Sequence, residues 1–213
     1  MATGPADTGE RFVLENIEWD DYEAILAALG DQPGIRVTYD GESLEFRRPS
    51  LRHEFTKCRA GRLIDTLTLE LDIPILGGGS TTFRRKIIKK GLEPDECYWI
   101  QNEEAVRVSE DEDWDRDPVP DLAIEVEVTT SVLNRRGIYA ALGVPEIWRL
   151  VNSAVQVNLL QSDGTYAVSE TSRAFPFLPM AEFSQWLEIP EGKSETSWIR
   201  SFAEWVRGRG FRV

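Results

Sequence analysis

The stretch at residues 120–131, PDLAIEVEVTTS, limits what this chain can fold into more than any other. Side chains alternate between faces along a strand, so Leu122, Ile124, Val126 and Val128 share one face, and Asp121, Ala123, Glu125, Glu127 and Thr129 share the other. The first face is apolar and belongs in a core. The second carries three carboxylates, which repel one another and resist burial unless a metal ion, basic partners or solvent compensates them. Two arrangements meet that demand. One is a sheet with a wet face, where the acids merely alternate outward. The other is a built acidic site. The strand alone does not choose between them.

The surrounding chain reads as one globular domain. Its 213 residues are 41% hydrophobic, with seven Trp and nine Phe, enough to close a substantial core. The expected layout is a disordered tail over residues 1–10 and a single domain over 11–213, with its core at about 50–152. No apolar run approaches the roughly 18–20 residues of a membrane span. The opening MATGPADTGE carries neither the basic nor the apolar region of a leader peptide, so the cytoplasm is the expected compartment and no membrane partner is expected. Cys58 and Cys97 lie inside periodic segments and read as small core residues without a disulfide.

Periodicity and turn signals then order the elements. A helix is expected at 21–29, stopped by Gly30, and strands at 35–39 and 43–46 flank the hairpin turn Asp40-Gly41. A long helix is expected at 51–71, with Phe55, Leu63, Leu67 and Leu71 on one face. A strand starting at Ile75 runs through GGGS into TTFRRK, where the glycines imply a bulge or a close backbone approach. No Lys-Ser or Lys-Thr follows them, which removes a nucleotide-binding loop. Next come a strand at 97–101 and an acidic connection at 103–117, with eight acids and two arginines, expected as an exposed loop or short hairpin. After the acidic strand, Ser131 caps a helix at 132–142, and a strand at 146–152 and a hairpin around Ser162-Asp163-Gly164 follow. A short helix at 180–187 and an amphipathic helix at 197–206, striped by Trp198, Phe202 and Trp205, complete the chain. This order predicts an α/β (mixed α+β) fold: a mixed central sheet flanked by helices, with an N-terminal helix-hairpin and a C-terminal hairpin plus helices.

A net charge of −13 argues against nucleic acid at first sight, but the charge is unevenly spread. Residues 47–90 hold eleven Lys or Arg against four Asp or Glu, and the remainder holds 13 basic and 33 acidic residues. The densest cluster is RRKIIKK, with Arg84, Arg85, Lys86, Lys89 and Lys90. It suits either a solvated hairpin edge or contact with phosphates.

Chemistry is suggested by two Pro-Asp pairs. Glu93-Pro94-Asp95 opens one strand and Pro120-Asp121 opens the next, with Glu125 inside it. If these strands are neighbours, Asp95 and Glu125 converge on one place in the sheet. Paired carboxylates suit Mg²⁺ or Mn²⁺, and such an ion held against a phosphodiester activates water and neutralises charge. The only histidine, His53, has no partner pattern for a metal or a triad and reads as structural or as a phosphate contact. Ser-His-Asp chemistry is thereby disfavoured. A carboxylate-pair sugar hydrolase has no support beyond the carboxylates themselves.

The segments WDDYEAILAALGDQPGIRVTYD, RPSLRHE, GGGSTTFRRKIIKKGLEPDECYWI and PDLAIEVEVTTS…IYAALGVPEIWRL resemble the Uma (Uma-two) family of restriction-endonuclease-like proteins, within the PD-(D/E)xK nuclease superfamily. The resemblance covers roughly residues 19–150. It implies a restriction-endonuclease-like core and metal-dependent endonucleolytic cleavage of DNA, with Mg²⁺ or Mn²⁺ as cofactor. By this resemblance Asp95 and Glu125 are the metal-binding acids, with Asp121 and Glu127 as further candidate ligands and Glu54 as an accessory acid. Glu127 stands where the superfamily usually has lysine. Relatives place a lysine on the following helix, four residues before the tyrosine that matches Tyr139, and Arg135 holds that position here. Arginine stabilises negative charge but cannot act as a base. Lys86 is an alternative donor, and Arg84, Arg85, Lys89 and Lys90 are candidate DNA contacts. A homodimer is expected if both strands are cut. The alternative is a catalytically degenerate protein of the same fold, acting as a nucleic-acid-binding or regulatory module.

Overall fold

The structure, a computed structural model, describes residues 10–30, 34–108, 117–127 and 131–212. Residues 1–9 of the expected disordered tail, residues 31–33, most of the acidic connection and Val128 and Thr129 lie outside the described residues, while Glu10, placed in the tail by the sequence, already belongs to a strand. Two sheets organise the remainder. The N-terminal sheet has strand order β1-β3-β2-β6-β5, from β1 (Glu10–Leu14), β2 (Arg36–Tyr39), β3 (Leu44–Arg48), β5 (Phe83–Arg85) and β6 (Lys90–Leu92). The main sheet has order β11-β10-β9-β8-β7-β4, from β4 (Leu76–Gly77), β7 (Glu96–Trp99), β8 (Leu122–Val126), β9 (Glu146–Val151), β10 (Ala154–Leu160) and β11 (Tyr166–Ser169). It is mixed, as expected: β8 and β9 run parallel, joined through α4 (Arg135–Leu142), and the other strand pairs among the described residues are antiparallel.

The stretch at 76–85 departs from the expected single strand. Chain direction changes after β4, so Leu76 and Phe83 serve different sheets. Gly78 explains why the crossing is tight. A Cβ there would lie 2.6 Å from the Trp99 ring and 2.7 Å from Cys97 Sγ, so only glycine lets the backbone pass. The N-terminal hairpin thereby gains β5 and β6 and becomes a full sheet under α1 (Trp19–Leu29).

The long helix α2 (Leu51–Leu71) has the expected bounds. Ser50 caps it by accepting from the His53 amide at 3.2 Å. Its buried stripe is His53, Ala60, Leu63, Ile64 and Leu67, packed on the main sheet and on α6 (Glu195–Arg209). Phe55 does not join that stripe and is 54% exposed. In α6 the buried face is Trp198, Phe202 and Val206, with Trp205 packed at its margin. The short helix α5 (Met180–Gln185) contributes Met180 and Phe183 to the same core. Within the acidic connection, residues 103–107 form a short helix, α3 (Glu103–Arg107), rather than a loop or hairpin.

The strand that opened the sequence reading is central, and both its faces are covered. Leu122, Ile124 and Val126 enter the main core, and Ala123 enters a second core on the opposite face with Ile138, Tyr139 and Ile147. Asp121 and Glu125 are buried. A wet acidic face is therefore excluded for these two residues, and their charges must be met inside the fold by donors, cations or a bound ion.

The cysteines divide. Cys97 is buried, and burial pushes its thiol far above the usual range, whereas Cys58 is exposed on α2 rather than in the core. A thiol reagent such as DTNB is expected to titrate one thiol in the native protein and two in denaturant. Two fast native thiols would contradict this packing.

Candidate active site

The antiparallel register of β7 and β8 pairs Glu96 with Ile124, and the Asp95 amide donates to the Ile124 carbonyl at 3.2 Å. One further step in that register brings Asp95 beside Glu125. The convergence expected of the two Pro-Asp segments thus follows from strand pairing. Each carboxylate is then gripped by a separate set of donors.

Asp95 is wholly buried. Arg47, from β3 of the other sheet, donates to its Oδ1 at 3.0 Å. The Val126 amide donates to Oδ2 at 2.8 Å, and His53 Nε2 lies 2.8 Å from the same oxygen. Burial alone would raise the Asp95 pKa, but the His53 hydrogen bond and the Arg47 charge outweigh it and hold it down to about 2. A carboxyl depressed on folding contributes stability above its ordinary value of 3.8, and the contribution fades as pH falls from there through about 2. Parent protein is therefore expected to lose on the order of 2 kcal/mol across that window from this group. Acid titration of urea stability, compared with Asp95→Asn, checks this: the variant's curve should be flatter below pH 4.

Glu125 is gripped from α4. The helix starts at Arg135 behind an Asn134 cap, not at 132 behind Ser131 as expected. That start presents Arg135 in the first turn. Its Nε donates to Glu125 Oε2 at 3.1 Å and its Nη2 to Oε1 at 2.5 Å, a two-pronged grip. The same guanidinium donates to the Glu93 carbonyl at 2.7 Å and to Thr38 Oγ1. One helical turn on, the Tyr139 hydroxyl donates to Glu125 Oε1. Burial would lower the Arg135 pKa, but the Glu125 carboxylate outweighs it, and the cation stays charged. Burial raises the Tyr139 phenol well above its ordinary value, and adjacent Glu125 raises it further, so it stays a donor. Ser131 instead contacts Glu45.

The remaining candidates are dispersed. Glu127 is held by both prongs of Arg149 from β9, one of them at 2.5 Å. Asp121 lies at the other end of β8. It accepts from the Ile100 amide at 2.7 Å, the Asn102 amide at 3.0 Å and Asn102 Nδ2 at 2.6 Å, which fastens the chain entering α3. Glu54 Oε1 is 3.6 Å from His53 Nδ1, and its other oxygen is 3.3 Å from Lys57. The basic hairpin faces α1. Lys86 is 3.5 Å from Asp20, Lys89 is 3.3 Å from Glu18, and Arg84 is 4.0 Å from Glu23. Arg85 donates to the Leu142 carbonyl at 3.0 Å and Lys90 to the Asp40 carbonyl. Exposed pairs of this kind contribute little stability, but they direct the cluster toward the protein's own acids.

Sequence reasoning missed Arg47 and Thr38, and it read His53 as structural or as a phosphate contact without placing it beside Asp95. For His53 a signal existed: it keeps helical phase with Ala60, Ile64 and Leu67, the buried face of α2. Arg47 and Thr38 carried no such mark, because they arrive from the other sheet.

A cavity of about 210 Å³ opens over Glu125, lined by four arginines, Arg47, Arg135, Arg136 and Arg149, along with Glu127, Ser131, Asn134 and Tyr139. Arg136 has no ion-pair or hydrogen-bond partner among the described residues. The carboxylates have the hard oxygen chemistry that Mg²⁺ prefers. As arranged, however, they do not fit such an ion: every oxygen of Asp95, Glu125 and Glu127 already accepts from a cation, a hydroxyl or an amide. Among the described residues no three His, Cys, Asp or Glu side chains converge as a metal-binding group.

Comparison with known proteins was decisive for kinship. The family model Uma2, described as "Putative restriction endonuclease", matches residues 19–190. The chain belongs to the Uma2 family. No curated protein matches it. A solved structure described as a "putative nuclease belonging to DUF820 from Anabaena variabilis ATCC 29413" is similar over 89% of this chain and 99% of that one, at 14% identity and a TM-score of 0.50. At that identity the likeness concerns the fold. It agrees with the mixed α/β, restriction-endonuclease-like architecture expected from the sequence. The family match extends beyond β9 through the C-terminal hairpin and α5, so these elements belong to the Uma2 unit. No helix among the described residues is long and apolar enough to cross a membrane.

Proposed function

We propose that this Uma2 protein is an endonuclease that hydrolyses phosphodiester bonds in DNA at the arginine-lined cavity over Glu125. The observation that carries this reading is the two-pronged Arg135–Glu125 pair on the wall of a cavity that also holds Arg47, Arg136 and Arg149. Guanidinium forks match carboxylate and phosphate oxygens equally well. An entering phosphodiester first meets Arg136, which has no partner among the described residues. Arg135 can then exchange one carboxylate oxygen for a phosphate oxygen and stabilise charge that develops during attack. The same exchange releases an oxygen of Glu125 to accept a proton from the attacking water. Water adds to phosphorus, one of its protons passes to Glu125, the bond from phosphorus to the leaving sugar oxygen breaks with its electron pair, and that oxygen takes a proton from bulk water. Asp95 positions: it ties β7 to Arg47, His53 and the Val126 amide, and so fixes the sheet that carries Glu125.

Dependence on Mg²⁺ or Mn²⁺, which the family resemblance implies, requires Arg135 to leave Glu125 first. Metal dependence is therefore a separate question from the location of the site. Closed circular plasmid and single-stranded DNA, incubated with Mg²⁺, with Mn²⁺ and with EDTA, test both. Cleavage is expected from the parent and not from Glu125→Ala. Cleavage that survives the substitution would sink the assignment. A second reading is favoured by one observation: Glu125 and Glu127 are both locked by arginine. Under it the protein binds DNA without cutting. Tight binding by a parent that cuts nothing under any of the three conditions would select that reading.

A further inference from the structure

A second depression adjoins the cavity. It encloses about 560 Å³ between α2 and the β9–β10 turn, and it shares Val126 and Glu127 with the cavity over Glu125. We propose that this groove is a track for single-stranded nucleic acid leading away from the acid pair, with Phe55 as the stacking platform and Arg52 and Arg59 as phosphate contacts. This deepens, and rests on, the nuclease reading of the adjoining cavity.

Four observations carry it. Phe55 and Leu51 are 54% and 66% exposed on the outward face of a well-capped helix, beside a core in which most large apolar side chains are covered. Arg52 and Arg59 lie one turn before and one turn after Phe55, on the same side of α2. Neither guanidinium has an ion-pair or hydrogen-bond partner among the described residues, although the chain carries a net charge of −13 and acids outnumber bases. The acids on the groove walls are engaged: Glu127 by Arg149, and Glu188 by Ser153 at 2.5 Å. The groove therefore offers unspent positive charge around an exposed aromatic face, which is the combination that binds single strands. Duplex bases are already stacked and cannot reach such a ring. A strand with free bases can.

Fluorescence anisotropy tests the proposal, without added divalent cation, using a blunt duplex and the same duplex with a single-stranded thymidine extension. The parent is expected to bind the extended duplex about tenfold more tightly. Phe55→Ala should erase that gain and leave blunt-duplex affinity unchanged. Arg52→Ala with Arg59→Ala should lower the salt dependence of log K for the extension by about 1.4. Equal affinity for both duplexes, or a gain that survives Phe55→Ala, would overturn the track. So would sedimentation showing that Phe55→Ala dissolves a dimer while the extension adds nothing, because the face would then be an interface between copies. The two readings fail separately. An extension preference in a protein that cuts nothing keeps the track and refutes hydrolysis; cleavage lost in Glu125→Ala without an extension preference does the reverse.

Discussion

Asp95→Ala is expected to destabilise the protein by about 3–5 kcal/mol, the range for removing one partner of a buried charge pair. The reason is position as much as charge. Asp95 immediately precedes β7 of the main sheet, Arg47 comes from β3 of the N-terminal sheet, and His53 comes from the first turn of α2. One carboxylate therefore joins the start of β7 to two successive elements that lie 42–48 residues before it. Its loss leaves Arg47 charged with a side chain only 9% exposed, strips the Val126 amide of its acceptor and leaves His53 Nε2 facing an empty site. For a chain of this size the melting temperature should fall by roughly 6–20 °C. Asp95→Asn keeps the shape and one acceptor and should fall less. The check is thermal and urea unfolding of all three proteins. A loss for Asp95→Ala below about 1 kcal/mol would show that the junction is not built on this residue.

Arg135→Lys is expected to open the site over Glu125 to Mg²⁺. Arg135 serves Glu125 through two nitrogens and also reaches Thr38 and the Glu93 carbonyl. A lysine is a compact point charge with a single nitrogen and cannot fill those roles together. Glu125 would regain a free oxygen beside Asp95. At tenfold excess over its Kd, Mg²⁺ would then add about 1.4 kcal/mol of stability, or roughly 3–5 °C in Tm, with no comparable shift in the parent. Plasmid cleavage by the variant should rise about tenfold or more with Mg²⁺ and vanish with EDTA, as general-base and metal assistance at one carboxylate would require. An equal Mg²⁺ shift in the parent would mean that Arg135 leaves Glu125 readily, and would restore a resident cation to the wild-type site.

Glu127 stands where the family resemblance implies a lysine, and its carboxylate is spent on Arg149 from the neighbouring strand. Parallel pairing of β8 with β9 puts Arg149 beside Glu125, in reach of both acids, and it settles on Glu127. The positive charge near Glu125 comes instead from α4, four residues before Tyr139. The acid pair is thus charge-balanced within the protein, which is why it can be buried in a sheet that is apolar on its other face.

The sequence alone determined the local elements and the meeting of Asp95 with Glu125. Strand alternation put Glu125 on the face opposite Leu122, Ile124 and Val126, and the two Pro-Asp segments marked strand starts that pair antiparallel. The family resemblance offered Arg135, with Lys86 as the alternative, and of the two it is Arg135 that reaches this acid. These features depend on a few neighbouring residues or on one pairing step. Only the tertiary structure decided what the carboxylates bind. Arg47, Thr38 and His53 approach from elements between 42 and 97 residues away along the chain from their partners, and no periodicity encodes such a meeting. It also decided that the basic hairpin faces the acids of α1, that Phe55 leaves the buried stripe of α2, and that Gly78 lets one segment serve two sheets. The physical reason is the same throughout. Pattern along the chain tells which side chains need burial or compensation, and long-range packing chooses the partner that supplies it.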